Sequence, residues 1–171
     1  PDDQIDAYKT AFADREDVLA RIQPSGKNAV VIDWTAPESD FQFDAATGTI
    51  TGYTGTPEVL AIPAEIEGLP VTVIDGFAFS CCDNLTSITL PDRLEAIGGS
   101  AFEYCISLTG ITIPSNVTAI GPSCFSGCSS LTSIRIPASV TDIEYQAFAY
   151  CGSLTAIEVD AANPNYCSWD G

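Results

Sequence analysis

Apolar residues return every 23 residues along the second half of the chain. Ile88 and Leu90 lie two positions apart with Thr89 between them, which predicts a strand with two side chains inward and one outward. So many positions repeating at one offset indicate an internal structural repeat. Its clearest columns are Ile74, Ile97, Ile120 and Ile143; Phe79, Phe102, Phe125 and Phe148; Leu85, Leu108, Leu131 and Leu154; and Ile88, Ile111, Ile134 and Ile157.

Each repeat predicts one coil of a solenoid. A proline such as Pro114 follows the strand and ends it, because proline has no amide hydrogen for a ladder. Stacked coils would place their strands side by side in a parallel sheet, ~4.8 Å apart. A period of this length with Leu-x-x-Ile-x-Leu is typical of a leucine-rich repeat, so the predicted fold is a β-rich solenoid with 23-residue coils. A second, shorter extended segment is predicted at residues 71–74, 94–97, 117–120 and 140–143.

The Ala-Phe pairs that follow, such as Ala78-Phe79, are predicted to lie on short helical turns with the Phe ring inside the coil. Ahead of the repeats, Phe41 and Phe43 alternate with polar residues, residues 45–48 form a turn, and residues 49–53 alternate again, which predicts a β-hairpin. Because the first coil would otherwise expose its core, we expect this hairpin to cap it. That coil, which starts at Leu60, is five residues longer than the others, with the extra length at residues 67–70.

The N-terminal part does not share the repeat. Apolar residues at helical spacing predict an α-helix over residues 2–22, followed by a short strand at residues 29–32 and a linker at residues 35–40. The helical face comprises Ile5, Tyr8, Phe12, Leu19 and Ile22. Two domains are therefore predicted: residues 1–39, with the helix, strand and linker, and residues 40–171, the solenoid with its hairpin cap at 40–54.

The composition is acidic, with 23 Asp and Glu against 6 Lys and Arg, so nucleic acid and anionic lipid are not expected partners. No apolar run approaches the length of a membrane span. Met is absent, which predicts that the chain does not begin at its own start codon; a removed signal peptide and trimming of the chain would both explain this.

Four of the seven cysteines form a further column: Cys82, Cys105, Cys128 and Cys151. Their Cα atoms would lie within disulfide range, but parallel side chains would keep the Cβ atoms about 4.8 Å apart, beyond the ~3.5–4.5 Å that a disulfide needs. We therefore expect buried free thiols, which pack as small apolar groups. Cys81 and Cys167 lie off the column and are the more reactive candidates. A zinc site is not expected, since the Cys spacing is wrong and His is absent.

Catalysis is not expected, because general acid–base and nucleophilic schemes usually recruit His and the acidic residues are scattered over varying columns. The chain is therefore predicted not to be an enzyme and to need no cofactor. Asp160, Asn163 and Asn165 could offer oxygen ligands to calcium, but they lack the EF-hand spacing, and a polar turn is the simpler interpretation.

The outward positions of the main strands are the candidate partner-binding residues. They are small and mostly neutral, which suits either a flat binding face or an unspecialised surface. Tyr104 and Tyr150 share an outer column and would be contact anchors if exposed, or half-buried turn residues if not. The strand columns are Ser87, Gly110, Ser133 and Ala156, and Thr89, Thr112, Arg135 and Glu158.

The repeat also resembles a known family. Leu-Thr-x-Ile-x-Ile-Pro at residues 108–114, Val-Thr-x-Ile-Gly at residues 117–121 and Ala-Phe-x-x-Cys at residues 101–105 are similar to the BspA-like leucine-rich repeats of bacterial surface and secreted proteins. The resemblance runs from Phe41 to Gly171. It implies a surface location and an adhesion or host-binding role.

The repeat, the acidity and the resemblance together favour a secreted or cell-surface module that binds protein or glycan through the solenoid face. A structural spacer that presents another domain is the alternative, since the outward columns are bland. A monomer without membrane insertion is expected in both cases.

Overall fold

The computed structural model describes residues 36–168 and, nearer the N-terminus, the backbone of two short strands. Strands β1 (Ile22–Pro24) and β2 (Val30–Ile32) pair antiparallel. Strand β2 confirms the strand predicted at residues 29–32. The predicted helix lies outside the described residues except at Ile22, which belongs to β1 instead. The chain divides into two compact units, Pro1–Thr35 and Ala36–Gly171.

A β-hairpin begins the second unit after a single 3-10 turn at Glu38–Asp40. Its strands are β3 (Phe41–Asp44) and β4 (Thr49–Tyr53), paired antiparallel. Gly48 closes the turn in a left-handed conformation, with φ of 68°, which glycine adopts without steric cost. The hairpin buries Phe41 and Ile50 against the first coil, so the predicted cap is confirmed.

The first coil carries the predicted extra length as a miniature hairpin. It follows strand β5 (Val59–Ala61) and consists of β6 (Glu65–Ile66) and β7 (Leu69–Pro70), with Ile66 opposite Leu69. The two residues between these strands, Glu67 and Gly68, have φ of 55° and 74°. Two successive left-handed residues are what a tight two-residue hairpin turn requires.

Two sheets run along the solenoid. Beyond the first coil, their strands are β8 (Val73–Ile74), β9 (Ser87–Thr89), β10 (Ala96–Ile97), β11 (Gly110–Thr112), β12 (Ala119–Ile120), β13 (Ser133–Ile136), β14 (Asp142–Ile143) and β15 (Ala156–Val159). Strands β9, β11, β13 and β15 join β5 in a five-stranded parallel sheet, and β8, β10, β12 and β14 join the hairpin in a six-stranded sheet. Partners such as Ile88, Ile111 and Ile134 are one coil apart, which confirms the predicted register.

The segment around each Phe of the repeat is a series of tight turns, and no helix is found there in the part of the chain that the structure describes. The backbone N–H of Phe79 donates to the carbonyl of Ala101 in the next coil at 2.8 Å, whereas that of Ser80 bonds back to Phe77 at 3.0 Å. Phe77 is left-handed, with φ of 61°. An α-helix satisfies its amides within itself, so bonding between coils takes the place of the predicted helical turn.

The Phe column confirms the predicted interior position. Phe79, Phe102 and Phe125 are fully buried. Their rings and that of Phe148 stack along the solenoid axis, with centroids 5.3, 5.5 and 5.6 Å apart in successive pairs. Offset stacking at such distances adds to the energy of burial, so this ring stack is the central column of the core.

Candidate binding surface

The exposed face of the five-stranded sheet carries a shallow depression of about 440 Å³. Its floor is at Gly110, where a side chain would meet no atom within 4 Å. The other polar residues that line it are Ser87, Thr89, Thr109, Thr112, Ser133, Arg135 and Glu158. The structure therefore brings together seven of the eight predicted outward strand positions, all except Ala156, and it adds Thr109.

A ladder of threonine hydroxyls runs along one margin of this face. Each hydroxyl donates to the backbone carbonyl of the residue one coil earlier: Thr109 to Thr86 at 3.0 Å, and Thr132 to Thr109 and Thr155 to Thr132 at 3.2 Å each. The threonine of the Leu-Thr-x-Ile motif thus ties the coils together. Its hydrogen is already engaged, so we do not count this column among the residues available to a partner.

Charge on the sheet face is confined to one end. Arg135 and Glu158 are partners on adjacent strands. Arg135 also lies 3.7 Å from Asp160, and its side chain is 67% exposed. A pair at this distance and exposure is worth little to folding, so the guanidinium remains available to a ligand.

Tyr104 and Tyr150 do not line the depression, because they project from the turns around the Phe column. They are 49% and 75% exposed, which answers the question that the sequence left open. Tyr104 lies over Gly127, where an added Cβ would sit 2.5 Å from the ring. The absence of a side chain at Gly127 therefore leaves room for the Tyr104 ring.

Two exposed aromatics were missed by the sequence reasoning. Phe77 is 67% exposed and Tyr145 is 77% exposed, both on the same turns. The available signal was departure from the column: Phe77 stands where the other coils have Ser100, Ser123 and Gln146. We call Phe77, Tyr104, Tyr145 and Tyr150 the aromatic edge.

The cysteine column is held by weak hydrogen bonds rather than by disulfides. All seven cysteines lie in the described range and are free thiols, as predicted for the column. Cys105, Cys128 and Cys151 each donate to the carbonyl of the Phe in the preceding coil, at 3.1, 3.2 and 3.1 Å. Burial raises the pKa of Cys128 to about 12, with a further contribution from Cys151, so this thiol stays protonated at neutral pH.

Thiol titration in denaturant is expected to count seven groups, because no cysteine is paired. In the native protein, the exposed thiols of Cys81 and Cys167 should react quickly with the reagent. The buried thiols of Cys105, Cys124 and Cys128 should react only when the protein unfolds. A total of three or fewer groups in denaturant would contradict the free-thiol assignment.

The polar segment after β15 satisfies backbone groups instead of presenting ligands to a cation. The side-chain amide of Asn163 donates to the carbonyls of Pro137 and Val140, at 3.0 and 2.8 Å. The Asn163 amide oxygen accepts from the backbone of Asn165 and Tyr166. This geometry matches the polar turn. Within the described residues, no group of three or more Cys, Asp or Glu is arranged to hold a metal ion.

The repeat matches known proteins. Residues 64–166 match a family model described as BspA type Leucine rich repeat region, in six copies. Among solved structures, the chain is similar to the leucine-rich repeat protein of T. pallidum, TpLRR, with 31% identity over 72% of this chain and 70% of that one and a TM-score of 0.60. A comparison with curated proteins gives no match.

Two Bacteroides structures are also similar. The leucine-rich repeat protein of Bacteroides capillosus ATCC 29799 is 30% identical, covering 75% of this chain and 100% of that one, with a TM-score of 0.65. That of Bacteroides ovatus ATCC 8483 is 31% identical over 74% of this chain and 40% of that one, with a TM-score of 0.53.

Among the described residues, no helix has the length and apolar character needed to cross a membrane.

Proposed function

Since the chain belongs to the BspA-type leucine-rich repeat family, we propose that it is a binding module of a secreted or cell-surface protein. The proposed ligand is a protein or a glycan, held on the face of the five-stranded sheet. The observation that supports this choice is the depression around Gly110, which gathers the predicted outward residues at one place. Solenoids commonly use such extended faces to bind their partners.

The lining suits a ligand that is rich in hydrogen-bonding groups and has little apolar surface. Ser87, Thr89, Thr112 and Ser133 each carry a hydroxyl that can both donate and accept. The hydroxyls of a glycan and the polar groups of an extended peptide are complementary to such a row. Arg135 and Glu158 at one end would fix the orientation of the ligand, because charged groups give specificity more than affinity.

Filling the depression tests the site. A screen of matrix proteins and cell-wall glycans would first identify a ligand for the wild-type protein. Gly110→Gln is then expected to weaken its binding at least tenfold, roughly 1.4 kcal/mol, because the new side chain occupies the floor of the depression. Isothermal titration calorimetry provides the measurement.

Gly152→Gln is the matched control. Gly152 also has no atom within 4 Å of an added Cβ, but it lies on a turn away from the sheet face. Its binding should equal that of the wild-type protein. If both variants bind as the wild type does, the ligand does not use the depression and this placement of the site is wrong.

The aromatic edge is the second place where a ligand could bind. Exposed tyrosines often carry much of the energy of an interface. A Tyr104→Ala/Tyr150→Ala variant that loses binding, with Gly110→Gln unchanged, would move the proposed site from the sheet to these turns.

A structural spacer is the alternative function, and the small neutral side chains of the outward columns support it. A spacer would bind none of the screened ligands. Removing a whole 23-residue coil would then leave the activity of an attached domain intact while shortening its reach. If the chain is a binding module, deletion of the coil that carries Gly110 abolishes ligand binding, because it removes the floor of the depression.

A further inference from the structure

A cleft of about 370 Å³ lies where the hairpin cap meets the first Phe turn. We call it the cap cleft. Residues 53–57 form one wall and residues 80–85 the other. This volume falls in the range of small-molecule sites. Two adjacent cysteines lie in the second wall: Cys81 is exposed, and Cys82 is half-buried.

Cys82 differs from the rest of its column because no Phe turn precedes it. In later coils the thiol donates to the carbonyl of the preceding Phe, as Cys105 does to Phe79. Ahead of Cys82 the ring of Tyr53 takes the place of that Phe, tilted by 35° against the Phe79 ring with 5.2 Å between the centroids. The backbone that follows Tyr53 opens into the cleft instead of forming a turn. Cys82, the first thiol of the column, therefore lines the cap cleft.

Cys105 supports an ionised Cys82. A hydrogen bond from the Cys105 thiol to an ionised Cys82 lowers the pKa of Cys82, outweighing the opposing effects of burial and the Asp83 carboxylate. In the structure the S–H of Cys105 donates to the carbonyl oxygen of Phe79, with 3.1 Å between sulfur and oxygen. It therefore has to turn from the carbonyl to the sulfur as Cys82 loses its proton. A thiolate is the reactive form of cysteine.

The charge of the cap cleft favours cationic ligands over anionic ones. Asp83 carries a carboxylate, and the described lining contains no Lys or Arg. The neutral polar residues of the lining are Thr54, Thr56, Ser80 and Asn84. An anionic ligand would meet repulsion from Asp83 without compensation, whereas an ammonium group would be attracted to it.

From this arrangement we propose that the cap cleft is a thiol-modification site, at which Cys82 exchanges with small disulfides that carry amino groups. The Cys82 thiolate attacks one sulfur of R–S–S–R, the S–S bond of the reagent breaks, and the products are a Cys82–S–S–R mixed disulfide and the thiolate RS⁻. No separate oxidant is needed, because the reagent disulfide is reduced as Cys82 is oxidised.

The test uses the full chain with the two exposed thiols removed, Cys81→Ser/Cys167→Ser. Cystamine, a dication, and oxidised glutathione, an anion, are added separately to the native protein at low salt and neutral pH. Intact-mass and peptide-mass spectrometry follow the adducts. We expect one adduct, at Cys82, forming at least tenfold faster with cystamine, and we expect the preference to shrink as salt screens Asp83.

Adding Cys82→Ser to this background should abolish the adduct while the thermal midpoint stays near that of the parent. Cys151 is the internal comparison, since it is half-buried in the same column but donates to a Phe carbonyl. Reaction at Cys82 no faster than at Cys151, or equal rates with the two reagents, would overturn the proposal.

The role of Cys105 has its own readout. In the same background, Cys105→Ala should move the pH midpoint of iodoacetamide alkylation at Cys82 upward. Cys105→Ser should restore it in part, because the hydroxyl is also a donor. A midpoint that is the same in all three proteins would show that Cys105 does not assist Cys82.

Discussion

Phe125→Ala should destabilise the solenoid by about 3–5 kcal/mol, the usual cost of removing an interior aromatic ring. Phe125 is fully buried, and its ring lies between Phe102 and Phe148 at centroid distances of 5.5 and 5.6 Å. The variant therefore loses burial and two stacking contacts, and it leaves a cavity in the middle of the ring stack. The walls cannot collapse easily, because the interlocked backbone of the Phe turns fixes the spacing of the coils.

Urea unfolding followed by circular dichroism measures this loss as a fall in the midpoint at an unchanged slope. Thr112→Ala is the control from the neighbouring strand, since Thr112 points outward and is exposed. Its effect should stay within about 0.5 kcal/mol. Equal costs for the two variants would contradict the assignment of inward and outward columns.

The columns made most of the fold predictable because burial alone accounts for them. Ile88 and Leu90 alternate with an outward Thr89, and a strand is the conformation that buries such a pair. Phe41 and Ile50 could be assigned to a cap because an exposed first coil demands one. The extra five residues of the first coil were located by length, although their conformation as a hairpin depends on left-handed Glu67 and Gly68.

The turns around the Phe column were not predictable by the same reasoning. Ala and Phe in sequence are compatible with a helix, and nothing local tells Phe79 to donate its N–H to Ala101 of the next coil. That bond exists only once two coils are stacked. The left-handed conformations of Phe77 and Cys81 also depend on the stacking of the coils, and the local sequence does not predict them.

The candidate site was partly predictable for a related reason. The period assigns Ser87, Thr112 and Arg135 to one face, because outward positions of stacked strands align. The depression itself depends on the missing side chain at Gly110, which the sequence reasoning treated as one small residue among several. Cys82 was assigned to the buried column by its register. Its opening to the cap cleft depends on where residues 53–57 pass, which the repeat does not encode.

Glycine has opposite effects at two positions that are close in sequence, Gly110 and Gly121, and this gives the second large prediction. A Cβ at Gly121 would lie 2.7 Å from the backbone nitrogen of Gly99 and 2.8 Å from the carbonyl carbon of Gly98, in the coil before it. Because these atoms are backbone, no change of rotamer can relieve the contact. Gly121→Ala should therefore push two coils apart and destabilise the protein by about 1–3 kcal/mol, the range for overpacking.

Gly110→Ala provides the matched control, with the same chemical change but open space around the new methyl group. Gly110 lies in strand β11, where glycine loses more conformational entropy on folding than alanine does. Its replacement should be neutral or stabilising by up to about 1 kcal/mol. The same urea experiment thus predicts shifts of different sign or size for two Gly→Ala changes only 11 residues apart in sequence. Equal shifts would mean that the close approach of successive coils at Gly121 does not limit stability, and that the stacking distance there is set by the ring stack alone.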